Sequence, residues 1–77
     1  MKVVLAGNYE QYVHWCQDNH ADPNYGQLYI PSNLNDATQR LQGLRIESRS
    51  DVVVVGTFWD NSGSGAVMAE VRSRIVA

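Results

Sequence analysis

Apolar residues along this chain follow two different spacings in turn. Three short runs, rich in β-branched residues and bounded by Gly, Pro or Asp, predict buried strands. These runs are Lys2–Ala6, Gln27–Ile30 and Val52–Val55. Between and after them, apolar residues recur three and four positions apart, which is the spacing of one helix face. The alternation predicts a strand followed by a helix, three times over.

Each predicted helix carries one apolar stripe, with polar residues on its other side. The stripes are Tyr9, Tyr12, Val13 and Cys16 in the first helix, Leu34, Ala37, Thr38 and Leu41 in the second, and Val67, Met68, Val71 and Ile75 in the third. We expect the stripes to pack on the sheet. Cys16 lies on one of them, so it is predicted to be a core residue rather than a nucleophile.

Helix ends are predicted from polar residues that can cap them and from glycine. Gly43 is placed to end the second helix in the left-handed conformation. Ser, Asn and Asp accept hydrogen bonds from the free N–H groups of a first helical turn. The predicted caps are Asn8 for the first helix, with Gln11 in the capping-box position, Ser32 or Asn35 for the second, and Ser62 or Ser64 for the third.

The order of elements predicts an α/β fold, a single βαβαβα domain spanning residues 1–77. Strands that alternate with helices form parallel sheets, and right-handed crossovers give a three-stranded sheet of order 2-1-3. The first and second helices then lie on opposite faces of the sheet, and the third can cover either face. Helices on both faces are therefore expected.

Composition excludes several kinds of site and partner. The net charge is −2, so a nucleic-acid partner is not expected. The single cysteine excludes an internal disulfide, and one Cys with two His disfavours a structural zinc site, which needs four N or S ligands. No apolar run approaches the ~20 residues of a membrane span, and Met1 leads directly into a strand without a secretory leader. We expect a cytoplasmic protein without a membrane, metal or cofactor.

The glycine- and serine-rich segment after the third strand raises the possibility of an anion site. Residues 61–65 open a predicted helix, where backbone N–H groups can bind phosphate. A P-loop also requires a Lys before Ser or Thr, and the chain has no Lys after Lys2. Asp60 would repel an anion. A plain turn is therefore favoured, and nucleotide or small-anion binding near Ser62 and Ser64 stays open as the alternative.

Aromatic residues gather at the predicted carboxyl edge of the sheet. In open α/β sheets ligands bind at this edge, where the strand order changes direction. The residues delivered there include Asn8, Tyr9, Phe58, Trp59 and Asp60. Trp and Tyr are enriched in interaction hot spots, so a partner contact is expected. The other interpretation is that Phe58 and Trp59 fold back over the small core.

The third strand is predicted to lie at an edge of the sheet. Val52–Val55 carries no charge and no Pro, which are the usual protections of an exposed edge. Loops could cover this strand, or it could pair with another chain. The strand edge therefore predicts a homo-oligomer formed by pairing of Val52–Val55 with another copy of the chain.

Several stretches resemble short uncharacterised α/β proteins of actinobacterial bacteriophages. The likeness covers nearly the whole chain and ends in a final helix. It lies in the segments M-K-V-V-L-A-G-N, Q-Y-V-H-W-C, L-Q-G-L-R and D-V-V-V-V-G-T-F. The resemblance implies a trimmed Rossmann-like or flavodoxin-like layout and an accessory role in the host cytoplasm. It carries over no functional residues.

Two functions are therefore expected from the sequence. The first is a small non-enzymatic phage-type accessory protein that binds a host or phage protein. The second is binding of a nucleotide or small anion at the carboxyl edge of the sheet. No nucleophile with a matching base and no paired acids at the strand ends are found, so an enzyme is not expected.

Overall fold

The computed structural model describes residues 2–76, so Met1 and Ala77, the ends of the predicted domain, lie outside the described residues. Strands and helices alternate as the sequence predicts. Short 3₁₀ turns at Arg49–Asp51 and Phe58–Asp60 flank the third strand. The elements in chain order are β1 (Lys2–Ala6), α1 (Tyr9–Asp18), β2 (Gln27–Ile30), α2 (Leu34–Leu41), β3 (Val52–Val55) and α3 (Ser64–Ser73).

The three strands form one parallel sheet of order β2-β1-β3, which confirms the predicted topology. In the register, Val3 of the central strand pairs with Leu28 on one side and Val52 on the other. Successive side chains of β1 point to opposite faces of the sheet. Because both faces are covered by helices, all four residues from Val3 to Ala6 are buried.

The two faces of the sheet hold two separate hydrophobic clusters. Helices α2 and α3 pack against each other and cover the face that carries Val3 and Leu5. Helix α1 alone covers the opposite face, where Tyr12 and Cys16 pack on Val4 and Ala6. The predicted core position of Cys16 is therefore confirmed. The sequence did not determine which face of the sheet α3 covers. In the structure α3 lies beside α2, on the face opposite to α1.

Side-chain caps fix the starts of α1 and α2. Oδ1 of Asn8 accepts a hydrogen bond from the N–H of Gln11 at 2.9 Å, which confirms the first predicted cap. Asn33, rather than Ser32 or Asn35, caps α2 by accepting from two N–H groups of the first turn. Asn33 is the cap because its backbone is extended and its side chain faces the first turn of α2.

The start of α3 differs from the prediction. Its N-cap is Gly63, which has no side chain to accept a hydrogen bond, so the predicted cap at Ser62 or Ser64 is wrong. Ser64 is already inside the helix and buried. Its hydroxyl donates to the carbonyl oxygen of Trp59 at 3.4 Å. The turn before α3 therefore holds this serine in the interior, away from the capping position.

The segment after α2 is joined to the segment after α3. Gly43 has φ +69°, which confirms the left-handed end of the helix. Three residues later Ile46 is buried and pairs in parallel with Ile75. Its N–H donates to the carbonyl of Arg74 at 2.9 Å. Ile46, an apolar residue among charged neighbours, thus joins the segment after α2 to the segment after α3.

No helix within residues 2–76 combines the length and the apolar character that crossing a bilayer would take.

Candidate functional site

The loops after β1 and β3 meet where the strand order changes direction. Gly7 and Asn8 follow the central strand and lead into α1, whereas Gly56 and Thr57 follow β3 and lead to the opposite face. A ligand crevice is expected between loops that separate in this way. Here the crevice is filled by a side chain of the chain itself.

The carboxamide of Gln11 occupies the space between the two loops. Its Oε1 atom accepts hydrogen bonds from the backbone N–H of Gly7 at 2.9 Å and of Thr57 at 3.1 Å. Its Nε2 group donates to Oγ1 of Thr57 at 3.0 Å. The capping-box prediction for Gln11 is thus wrong, because its carboxamide oxygen accepts from the backbone N–H of Gly7 and not from that of Asn8. Gln11 instead joins the start of α1 to the end of β3.

A side chain at either glycine beside this carboxamide would make a close steric contact. A Cβ atom at Gly7 would lie 2.2 Å from Oγ1 of Thr57. A Cβ atom at Gly56 would lie 2.2 Å from Oε1 of Gln11. Gly56 also has φ +60°, a conformation that other residues adopt only with strain. The close packing of Gln11 therefore depends on the absence of side chains at both positions.

Gln11 reduces the capacity of this edge to bind an anion. The N–H groups of Gly7 and Thr57 would have to exchange the carboxamide oxygen for an anionic oxygen. Asn8 and Asn33 already accept hydrogen bonds from the first turns of α1 and α2. An anion there would compete with existing partners for each of these donors.

The Gly-Ser segment packs against the β2–α2 loop. Ser62 and Gly63 line a groove together with Ser32, Asn33 and other residues of the β2–α2 loop. A Cβ atom at Gly63 would approach the carbonyl oxygen of Ser32 to 2.9 Å, so the two loops are in close contact. The glycine here serves the packing of loop against loop.

Phe58 and Trp59 have opposite environments although they are neighbours in sequence. Phe58 is fully buried in the cluster beneath α2 and α3. Trp59 is 54 % exposed, with its ring packed edge-on against Phe58 at a centroid distance of 5.2 Å. The expectation that Phe58 contacts a partner does not fit this burial, because its side chain fills the core. Of the other candidates Asp60 and Ser62 are exposed, and Ser64 is buried.

Three tyrosines form a packed group at the α1 face of the sheet. Ring centroids of Tyr9, Tyr12 and Tyr29 lie 5.2–5.6 Å apart in each of the three pairs. The guanidinium carbon of Arg40 lies 5.5 Å from the centroid of the Tyr29 ring. The hydroxyl of Tyr12 donates to the carbonyl of Pro23 at 2.6 Å. We call Tyr9, Tyr12, Tyr29 and Arg40 the tyrosine cluster.

The tyrosine cluster combines a buried base with an open surface. Tyr12 is buried, whereas Tyr9 is 52 % exposed although the stripe pattern predicted it to pack on the sheet. Burial raises the pKa of both Tyr12 and Tyr29 above the usual 10.0, with Arg40 opposing the rise at Tyr29. Both are therefore neutral phenols near pH 7. Such a surface offers aromatic faces, neutral hydroxyl groups and one guanidinium.

Sequence reasoning did not single out Tyr29 or Arg40. Strand alternation was the available signal, since Leu28 and Ile30 point to one face of β2 and Tyr29 must point to the other. The position of Arg40 follows from the end of α2 lying next to β2, which the local pattern does not encode.

Reactive groups elsewhere are sparse. The thiol of Cys16 is free and fully buried. Nδ1 of His14 lies 3.4 Å from a carboxylate oxygen of Asp18 on the exposed side of α1. Within the described part of the chain, residues 2–76, no group of three or more His, Cys, Asp or Glu side chains could hold a metal ion.

Comparison with protein-family models, with curated proteins and with solved structures gave no match to this chain.

Proposed function

We propose that this chain is a small non-enzymatic protein-binding module and that the tyrosine cluster is its contact surface. The observation that carries the proposal is the half-exposed ring of Tyr9, held in place by Tyr12 and Tyr29. Tyr, Trp and Arg are the residue types most enriched in binding hot spots. The cluster brings two of these types together at one exposed place.

Packing supports the cluster as a rigid surface. Tyr12 is fixed by its hydrogen bond to Pro23 and stacks on Tyr29, with an angle of 28° between the ring planes. Because Tyr9 packs against both rings, its side chain loses little further freedom when a partner binds. Preorganisation of this kind lowers the entropic cost of association.

The resemblance to phage proteins supports an accessory role for such a module. On this proposal the chain acts in the cytoplasm of an infected host cell and binds a host or phage protein. Trp59 is also exposed, but its ring contact is with Phe58 and not with a ring of the tyrosine cluster. The tyrosine cluster is therefore the better supported contact surface.

Replacing Tyr9 by alanine is expected to remove partner binding and leave the domain folded. The change deletes an exposed ring, at a cost of about 1 kcal/mol in lost aromatic contacts. Tagged wild-type protein and the variant Tyr9→Ala are used to capture proteins from lysate of an actinobacterial host, with identification by mass spectrometry.

The matched control is Tyr25→Ala, since Tyr25 is 82 % exposed and forms none of the ring contacts of the cluster. A partner that is kept by wild type and Tyr25→Ala and lost by Tyr9→Ala supports the proposal. A partner held equally by Tyr9→Ala, or no protein retained by wild type above background, would contradict it. Thermal unfolding of each variant verifies that it is folded.

Nucleotides and small anions are expected to leave the melting temperature unchanged. This second function is less well supported because Gln11 and the two asparagine caps already use the N–H groups of the edge. A ligand that binds only the native state must raise the melting temperature. The measurement is a thermal shift series with ATP, GTP and pyrophosphate. A rise that grows with ligand concentration would favour the anion hypothesis instead.

A further inference from the structure

We infer that β3 pairs antiparallel with β3 of a second copy of this chain, forming a six-stranded sheet across a two-fold axis. The inference is independent of the tyrosine cluster. Strand β3 is the edge of the sheet opposite to Tyr29 of β2, and the groove described below lies on the face covered by α2 and α3, whereas Tyr12 and Tyr29 pack on the face covered by α1.

The outer edge of β3 is open. Among residues 2–76 this strand pairs only with β1, and its four residues are all valine. Val54 is 38 % exposed, and the other three valines are half-buried. The N–H of Val52 donates to the carbonyl of Arg49, and unpaired N–H and C=O groups farther along an apolar edge are a template for another strand. An edge of this kind is normally protected by charge or Pro, and Val52–Val55 contains neither.

The opposite edge of the sheet is protected. Arg40 reaches from α2 to the Tyr29 ring of β2. Asp36 and Gln39 of α2 line the surface beside that strand, and Pro31 follows it directly. Because only one edge accepts a strand, pairing through β3 stops at two copies and does not extend into a filament.

A groove lies at the start of β3 on the face covered by α3. Its volume is about 670 Å³, within the range of sites that hold organic ligands. Four apolar side chains and two guanidinium groups line it. The lining residues are Arg49, Val52, Met68, Val71, Arg72 and Ile75. Arg49 and Arg72 are exposed, and neither forms an ion pair with another residue of the 2–76 range.

A complementary group follows the other end of β3. The 3₁₀ turn Phe58–Asp60 packs on α3, so it lies on the same face of the sheet as the groove. Trp59 and Asp60 are exposed on this turn. The molecule thus carries an aromatic ring and a carboxylate at one end of the strand. At the other end it carries an apolar groove with two positive charges.

Antiparallel pairing about a two-fold axis perpendicular to the sheet brings these ends together. The start of β3 in one copy then lies beside the end of β3 in the other, with equivalent faces on the same side. The groove of each copy faces Trp59 and Asp60 of its partner, and the symmetry repeats the contact twice. The indole has apolar side chains of the groove to cover, and the carboxylate has Arg49 and Arg72 within the same groove.

A second copy is favoured over a strand of an unrelated protein because, at each end of β3, it places Trp59 and Asp60 opposite the groove that holds Arg49 and Arg72. A strand from another protein would satisfy the edge and leave Trp59 and two arginines without partners. A chain of 77 residues also buries a smaller share of its surface than a larger domain, so additional apolar burial has a large relative effect.

Sedimentation velocity on the full chain tests the dimer over a wide range of concentration. Wild type is expected to be a dimer, and Val54→Lys a monomer, because a charge on the edge opposes strand pairing. The lysine stem can lie along the strand with its ammonium in water, so folding is preserved and is verified by circular dichroism. Val54→Thr keeps a β-branched neutral residue and is expected to remain dimeric.

Charge reversal tests the orientation of the two copies. Asp60→Arg and Arg72→Glu are each expected to raise the dissociation constant about tenfold. The double variant carrying both changes is expected to recover most of the affinity, because the introduced carboxylate of one copy then faces the introduced guanidinium of the other. A wild-type chain that is monomeric at every concentration would overturn the inference. So would a dimer that survives Val54→Lys, or a double variant as weak as the product of the single changes.

Discussion

Replacing Phe58 by alanine should remove a large part of the stability of this domain. The ring is fully buried beneath α2 and α3, and deletion of a buried Phe costs about 3–5 kcal/mol. A domain of 77 residues has a free energy of unfolding of about 4–12 kcal/mol. At the lower end of that range Phe58→Ala is expected to be partly or wholly unfolded at room temperature, and at the upper end it stays folded with a much smaller free energy of unfolding. Chemical denaturation followed by circular dichroism measures the loss.

Trp59→Ala is the matched control, because the two residues are neighbours on one 3₁₀ turn and only Phe58 is buried. The control is expected to lose about 1 kcal/mol, mostly through the edge-on contact between the rings. Both are measured at concentrations low enough for a monomer. Equal losses in the two variants would show that Phe58 is not the core residue of this pair.

Gly56→Ala should be the most damaging of the single-methyl changes at the glycines. A Cβ atom there meets Oε1 of Gln11 at 2.2 Å and Cδ at 2.5 Å. The positive φ of +60° adds about 1–2 kcal/mol of strain, and overpacking adds about 1–3 kcal/mol. Equilibrium unfolding is expected to show a total loss of about 2–5 kcal/mol.

Two further variants separate the causes of this loss. Gly65→Ala adds a methyl group where nothing lies within 4 Å, in the first turn of α3, and it is expected to be neutral or slightly stabilising. In a Gln11→Ala background the clash disappears and only the strain of the backbone remains. If Gly56→Ala costs the same in both backgrounds, the packing of Gln11 is not what requires glycine.

The connection made by Gln11 also bears on function. A side chain that joins α1 to the end of β3 stabilises the fold at the place where related topologies bind ligands. The proposed contacts lie on either side of it, with the tyrosine cluster towards β2 and the pairing edge at β3. The proposed protein-binding role does not require an open crevice there.

The strands, their order and the core position of Cys16 could all be predicted from the sequence. Short β-branched runs between turn residues form buried strands, and chirality restricts how parallel strands connect. Asn8 could be predicted as a cap because its hydrogen bond spans only three residues. Each of these features depends on short-range pattern or on a rule common to all α/β chains.

Other features depend on which distant elements come together. Local pattern leaves the face covered by α3 undetermined, because within residues 2–76 no crossover to a further strand fixes the side of the sheet on which this helix lies. The partner of Gln11 lies 46 residues away, at Thr57, so the capping-box pattern could not identify it. The stacking of Arg40 on Tyr29 likewise requires α2 to lie at the edge of the sheet.

The sequence by itself determined the class of fold, the three strands and the open valine edge of this protein. Only the tertiary structure decided which aromatic residue is core and which is surface. Phe58 and Trp59 are adjacent on a 3₁₀ turn, where successive side chains point about 120° apart, so at most one of them can face the interior. The packing of this turn on α3 places Phe58 inside, and for that physical reason Trp59 is left at the surface.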